Sequence, residues 1–137
     1  MFGKEVDGLL SFADESKARQ LIDFVGVEAG TGYPTDIDGI IEYHNKGYVL
    51  MEVKHRNTKL KKGQRLCLER MCDDFIRAKK HAIVIVAEHV IDKAEDNVML
   101  KECFVREYYT SGRWVTVTLD QTVREIVREF CNYIDKF

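Results

Sequence analysis

The sequence predicts an α/β fold in which helices flank a mixed β-sheet, in the element order α-β-β-α-β-β-β-α. Stretches with helical spacing of apolar residues alternate with short runs rich in β-branched residues, which favours this class. The run AIVIVA is continuously apolar, as in strands that are covered on both faces. No glycine-rich phosphate loop follows a strand, so a dinucleotide-binding fold is not expected.

The first predicted helix runs from about Phe12 to Val25. Ser11 is followed by Asp14 three residues later, which resembles a capping box. Helical spacing then places these apolar residues on one face: Ala18, Leu21, Ile22 and Val25. The preceding KEVDGLL is interpreted as a shorter helical piece that is interrupted near Gly8.

The next predicted elements are a hairpin and a helix. The strands Ile37–Tyr43 and Tyr48–Val53 are joined by HNKG, in which Gly47 is available for a positive φ. The helix runs from about Lys62 to Lys79. Its inward face carries Gln64, Leu68, Met71, Phe75 and Ala78.

A strand, a second hairpin and a terminal helix complete the predicted order. HAIVIVAEH is the strand, and CFVREYYTSGRWVTVTL is predicted to turn at Ser111 and Gly112. The aromatic side chains of this hairpin, Tyr108, Tyr109 and Trp114, are assigned to the core rather than to a partner surface. The residues predicted to face inward from the terminal helix are Val123, Ile126, Val127, Phe130 and Ile134.

Length and composition predict a single domain over residues 1–137. Charged residues make up 32% and hydrophobic residues 45%, which indicates neither disorder nor membrane residence. Because the first residues lack a signal-peptide pattern, a cytoplasmic location is expected. The four cysteines are expected to be reduced: Cys67, Cys72, Cys103 and Cys131. The net charge of −2 argues against a uniformly basic nucleic-acid binder but permits a basic patch beside an acidic metal site.

The register of the first hairpin follows from the separation of apolar and charged side chains. Setting Asp38 opposite Val53 would mix charge with core on both faces. A shift by one residue separates them, and it requires an odd-length loop or a bulge. The apolar face then pairs Ile37 with Val53, Gly39 with Met51, and Ile41 with Val49. The other face pairs Asp36 with Lys54, Asp38 with Glu52, and Ile40 with Leu50.

This register places two carboxylates side by side. Opposed like charges destabilise a strand pair by roughly 0.2–1 kcal/mol. A divalent cation between Asp38 and Glu52 would reverse that effect, and Mg²⁺ typically takes one or two carboxylates together with water and phosphate oxygens. Lys54 lies two residues beyond Glu52 on the same face, where an ammonium can stabilise phosphate charge or help to activate water.

These residues resemble the PD-(D/E)XK nuclease superfamily, whose members place an acid at the start of one strand and E-x-K on the next. TDIDG and MEVK supply these parts, and IDGIIEY…GYVLMEVK looks closest to small nucleases of the Holliday-junction-resolvase type. The resemblance covers about residues 34 to 87. It implies a restriction-endonuclease-like core and Mg²⁺- or Mn²⁺-dependent cleavage of nucleic acid. It also implies a homodimer, since related resolvases act as dimers.

The resemblance also implies roles for single residues. Asp38 and Glu52 would bind the metal, Lys54 would lie beside the attacking water, and Gln64 would help to orient the site. Asp36 is left open as a second ligand or a partner of Lys54. The family often adds a glutamate from the first helix, for which Glu15 is the candidate and Glu5 the rival.

A basic cluster follows the motif and consists of His55, Arg56, Lys59, Lys61, Lys62 and Arg65. It is interpreted either as a set of phosphate contacts or as a solvated loop. Phosphate contacts carry no sequence information, so they predict structure-selective or weakly selective binding. The resemblance to resolvases makes branched or junction DNA the expected substrate. The alternative function is a non-catalytic nucleic-acid-binding or assembly protein on the same scaffold. No membrane partner is expected.

Overall fold

A computed structural model of the protein describes residues 3–6, 9–12, 23–27, 30, 34–93, 96–118 and 120–137. The chain divides into two compact units, Met1–Pro34 and Thr35–Phe137. In the first unit, β1 (Gly3–Val6) and β2 (Leu9–Phe12) form an antiparallel pair. The prediction of one domain over the whole chain stays a prediction.

The first unit corrects two expectations. KEVDGLL was expected to be helical, yet its described residues lie in β1 and β2. An Asp-Gly dipeptide between two apolar stretches is a strong hairpin signal, and here it outweighs helical spacing. The predicted helix from Phe12 to Val25 is wrong at both ends, because Phe12 ends β2 and residues 23–27 are not helical. The middle of that helix, residues 13–22, lies outside the described residues.

The second unit is an α/β structure built on a mixed sheet of five strands in the order β3-β4-β5-β6-β7. Its strands are β3 (Gly39–Tyr43), β4 (Gly47–His55), β5 (His81–His89), β6 (Phe104–Thr110) and β7 (Arg113–Thr116). Neighbouring strands are antiparallel except for β4 and β5, which are parallel. Helix α1 (Lys62–Arg77) connects β4 to β5, and α2 (Val123–Ile134) follows β7. A 3₁₀ turn, Leu100–Glu102, precedes β6.

The β3–β4 hairpin has the predicted register, with Gly39 opposite Met51. The connection has three residues, and its first two, His44 and Asn45, take the positive φ angles. Gly47, which was expected to supply a positive φ, instead opens β4. A Cβ atom at Gly47 would lie 2.5 Å from Cδ1 of Ile134, so glycine is needed here for the close approach of α2.

Two cores lie on opposite faces of the sheet. The face toward α1 buries Leu50, Ala82, Val84 and Tyr109 against Leu68 and Cys72 of the helix. The face toward α2 buries Val49, Met51, Ile83, Ile85, Ala87 and Val105 with Val123 and Ile126. Strand β5 is therefore covered on both faces, as its apolar run predicts.

One member of the predicted apolar face is misplaced. Val49 and Met51 are buried, and Ile41 and Val53 pack against them as expected. Ile37 instead packs on the α1 side, in the cluster that contains Leu50. Because β3 begins only at Gly39, the alternation of a strand does not extend back to Ile37.

Most of the remaining sequence predictions for this unit are confirmed, but α1 ends at Arg77, so Ala78 is exposed instead of facing inward as predicted. The second hairpin turns at Ser111 and Gly112, which both have positive φ. In α2, Val123, Ile126 and Ile134 are buried, and Thr122 and Glu125 form a reciprocal capping box. All four cysteines are free thiols. Within the described ranges, no helix is long and apolar enough to cross a membrane.

Candidate active site

Asp38 and Glu52, called the acid pair below, lie together where β3 begins. The backbone N–H of Asp38 donates to Oε1 of Glu52 at 3.2 Å. The backbone N–H of Val53 donates to Oδ2 of Asp38 at 2.8 Å. Each carboxylate therefore accepts a backbone hydrogen bond from the opposite strand, which continues the hairpin ladder beyond Gly39 through side chains.

Glu52 is the one buried charged residue in the described part of the chain, with 2% of its surface exposed. Burial and the neighbouring charge of Asp38 raise the pKa of its carboxyl group to about 7. The backbone N–H of Asp38 and the ammonium of Lys54 act in the opposite direction without cancelling the rise. At neutral pH, this carboxyl group is therefore poised between its acid and its anion.

Lys54 stands beside the acid pair. Its Nζ lies 4.0 Å from Oε2 of Glu52, and its side chain is 20% exposed. Alternation along β4 puts Leu50, Glu52 and Lys54 on the face that α1 covers. The structure thus brings together Asp38, Glu52 and Lys54, as the sequence predicts.

The resemblance implies a divalent cation, for which the acid pair would supply the carboxylate ligands. No group of three or more histidine, cysteine, aspartate or glutamate side chains that could hold a metal ion occurs among residues whose placement is described. Mg²⁺ does not need such a group, since it usually binds one or two carboxylates and keeps several waters. A buried carboxyl group next to a second carboxylate suits this ion, because a cation would offset both the burial and the repulsion. The acid pair fits Mg²⁺ or Mn²⁺.

Gln64 lies in the first turn of α1, on the same helix face as Leu68, which packs against Leu50. Its side chain is half-buried. Among the described contacts, it forms no hydrogen bond with the acid pair or with Lys54. Its role in orienting the site stays a prediction.

None of the three additional acids is assigned to this group. Asp36 is exposed, and within residues 34–93 it forms no ion pair with Lys54, whose described partner is Glu52. Glu15 lies outside the described residues, and Glu5 lies in β1 of the first unit. Neither glutamate is therefore assigned to the site.

The basic cluster divides into paired and unpaired side chains. Arg65 forms an ion pair with Glu107 at 2.9 Å, and its guanidinium lies 3.9 Å from the ring centroid of Trp114. His55 and Arg56 both contact the carboxylate of Asp92, at 2.9 and 3.0 Å. These three side chains of the cluster already contact acidic partners, so they are less available to phosphate than the sequence suggests.

Lys59, Lys61 and Lys62 are different. All three are exposed and have no ion-pair partner in the described part of the chain. Lys59 and Lys61 lie in the loop before α1, and Lys62 is the first residue of that helix. Arg106 donates to the carbonyl of Thr58 at 2.6 Å, which anchors the start of this loop. Three cations without described acidic partners therefore follow Lys54 along the chain.

Sequence reasoning missed Glu88, which lies opposite Lys54 on β5. Burial would raise the pKa of its carboxyl group, but hydrogen bonds from Arg106 and the N–H of Asn57 outweigh that effect and lower it. Glu88 also lies 2.6 Å from Nη2 of Arg106, so the pair ties β5 to β6. A glutamate next to the last residue of an otherwise apolar strand was the available signal.

Comparisons of the chain with protein-family models, curated proteins and solved structures find no match. Inference about function therefore depends on the geometry of the acid pair and its surroundings.

Proposed function

We propose that the protein is a Mg²⁺- or Mn²⁺-dependent endonuclease that cleaves phosphodiester bonds in nucleic acid, with structure-selective cleavage of branched or junction DNA as the expected activity. The observation that carries this proposal is the buried carboxyl group of Glu52 beside Asp38, with Lys54 4.0 Å away. Burying a carboxyl group next to a second acid is unfavourable for a scaffold. A bound cation would offset that penalty.

The residues of the site would divide the chemistry among them. Asp38 and Glu52 would hold the ion, which when bound supplies Lewis-acid stabilisation of the phosphate. Lys54 would place its ammonium against the phosphate oxygens, where charge increases in the transition state. Because Glu52 is buried, the ammonium lies beside a carboxyl group that is shielded from solvent, where electrostatic interactions are stronger than in water.

The surroundings of the acid pair support a polyanionic substrate. Three exposed lysines can neutralise backbone phosphates: Lys59, Lys61 and Lys62. Contacts to phosphates do not depend on the base sequence. Through the resemblance, the proposal extends to a restriction-endonuclease-like core and to action on DNA, and a cytoplasmic location is proposed with them. A homodimer belongs to the same proposal through the resemblance to resolvases.

The alternative is a non-catalytic nucleic-acid-binding or assembly protein on this scaffold. It would use the three lysines in the same way. It gives no reason for a buried carboxyl group beside another acid, and this difference favours the enzyme.

Cleavage of a DNA panel tests the proposal. Labelled junction, flap, duplex and single-stranded DNA, together with RNA, are incubated with Mg²⁺, Mn²⁺ or chelator. Wild type should cleave with metal only, Asp38→Asn and Glu52→Gln should be inactive, and Lys54→Met should be slower by about 100- to 1000-fold. Lys101→Met, an exposed lysine before β6, is the matched control. Binding without cleavage in every metal would select the alternative.

A further inference from the structure

The carboxyl end of β5 and the segment that enters β6 enclose a cavity of about 290 Å³. Its apolar wall consists of Val90, Ile91, Val98, Met99 and Phe104. Small-molecule pockets usually measure about 300–1000 Å³, so this cavity has room for one ring system rather than an extended ligand.

The apolar wall is exposed. Phe104 has 45% of its surface accessible and Val90 has 60%, and Ile91 and Val98 are also exposed. Single exposed apolar residues are common, but a group of them around one cavity marks a binding surface. An exposed phenylalanine at the edge of such a cavity is suited to stacking on a planar ring.

The cavity also carries polar groups that suit the edge of a heterocycle. Asn97 offers both a donor and an acceptor, and Glu102 offers an acceptor. Neither side chain forms a hydrogen bond within the described part of the protein. A planar ligand with apolar faces and a polar edge matches this combination.

The cavity adjoins the candidate active site. Glu88 contributes to its wall and lies opposite Lys54 on the neighbouring strand, at a strand spacing of about 4.8 Å. Arg56 donates to the carbonyl of Val90, another wall residue, at 3.4 Å. The end of β4 and the residue that follows it therefore pair with or contact two wall residues of the cavity, Glu88 and Val90.

We propose that this cavity binds one unstacked base of the nucleic-acid substrate. The inference rests on the proposed function and narrows its substrate class, because only an unpaired or extruded nucleotide can place its base there. Branched, flapped or single-stranded substrates offer such a base at low energetic cost, whereas an intact duplex does not. Phe104 stacks on the base, and Asn97 and Glu102 meet its edge.

Abasic scanning of a forked DNA tests this inference. Binding is measured in chelator, so that it does not depend on cleavage, with a tetrahydrofuran abasic residue placed at each unpaired position in turn. For wild type, one position should weaken binding by roughly fivefold or more, which is the loss of one base–aromatic stack. Phe104→Ala should weaken binding of the intact fork equally and lose the dependence on that position.

Two further variants keep the test decisive. Asn97→Ala changes an exposed residue and should reduce the effect of the same position. Phe137→Ala removes a phenylalanine that is 69% exposed and does not line the cavity, and it should behave as wild type. Equal effects of abasic residues at all positions, or equal weakening of intact and abasic forks by Phe104→Ala, would overturn the inference.

Other occupants give distinct results. Saturable binding of adenosine monophosphate that competes poorly with the fork would show that the cavity binds a free nucleotide. Self-association that is abolished by Phe104→Ala would show that it binds a second copy of the chain. Either result would overturn the inference. Failure of the proposed function is separate: a position-dependent fork interaction without metal-dependent cleavage would remove the enzyme and leave the base-binding cavity.

Discussion

Asp38 and Glu52 are joined across the hairpin by a hydrogen bond from the backbone N–H of one to the carboxylate of the other, at 3.2 Å. The Asp38 carboxylate in turn accepts from the N–H of Val53 at 2.8 Å. The two acids are therefore held close by the backbone although their charges repel. An amide replacement removes the charge of either acid but keeps an oxygen that can accept the hydrogen bond. The effects of the charge and of the hydrogen bond can therefore be tested independently.

Replacing Asp38 should affect stability in a manner that depends on the replacement. Asp38→Asn keeps an acceptor for the Val53 N–H and removes the charge, so without metal at pH 8 it should raise the free energy of unfolding by roughly 0.2–1 kcal/mol. Asp38→Ala also removes the acceptor and should be less stable than Asp38→Asn by about 1 kcal/mol. Urea denaturation measures both. Equal stability of the two variants would contradict the hydrogen-bond assignment.

Glu52 should make stability depend on pH. Its pKa is raised from 4.5 to about 7 in the folded state, so between these values the folded protein holds a proton that the unfolded chain has lost. The free energy of unfolding contributed by this group should therefore fall as pH rises through this window, by on the order of 3 kcal/mol.

Glu52→Gln removes this titration. From pH 5 to pH 8, wild type should lose stability relative to Glu52→Gln, so the unfolding free energy of the variant minus that of wild type should increase. Glutamine can still accept from the N–H of Asp38, so the hydrogen bond is preserved. A constant difference across that range would show that the folded carboxyl group has an ordinary pKa.

The free lysines should govern the salt dependence of DNA binding. A triple alanine variant of Lys59, Lys61 and Lys62 should reduce the slope of log affinity against log salt by roughly two to three, because each phosphate contact contributes about 0.9. The matched control replaces the exposed Lys46, Lys101 and Lys136. Fluorescence anisotropy at several salt concentrations gives both slopes. Equal slopes for the two triple variants would show that these lysines do not make the phosphate contacts.

Gly47 should not tolerate a side chain. Its Cβ would meet Cδ1 of the buried Ile134 at 2.5 Å and the carbonyl oxygen of His81 at 3.2 Å, so Gly47→Ala should destabilise the protein by about 1–3 kcal/mol. Gly63→Ala in α1 is the control, since nothing lies within 4 Å of its Cβ position. Thermal unfolding should show the first variant melting earlier and the second at or above wild type.

The part of the site that could be predicted from the sequence depends on local pattern. The register that pairs Asp38 with Glu52 follows from the separation of apolar and charged residues along two adjacent strands. The same rule failed for Ile37, because sequence pattern does not show that the strand begins only at Gly39. In the first unit, short strands and a short helix give similar patterns of apolar residues. The helical interpretation of KEVDGLL was therefore wrong.

Long-range pairing could not be predicted in this way. The position of Arg65 among lysines suggests either a phosphate contact or a solvated loop, yet its partner is Glu107, 42 residues away along the chain. Asp92 similarly lies 37 residues after His55. Only the packing of strands and helices brings such charges together, so a local basic run overstates the number of free cations.

Calorimetric titration of Mn²⁺ tests the central claim most directly, because it asks whether the acid pair holds a metal without requiring a substrate. At pH 8, above the pKa of Glu52, wild type should bind the ion, and Asp38→Asn should bind it roughly tenfold or more weakly. Below pH 7, wild-type affinity should fall as a proton competes for Glu52. Asp96→Asn, an exposed aspartate outside the pair, should match wild type. Absence of Mn²⁺ binding by wild type, or equal binding by Asp38→Asn, would contradict the account.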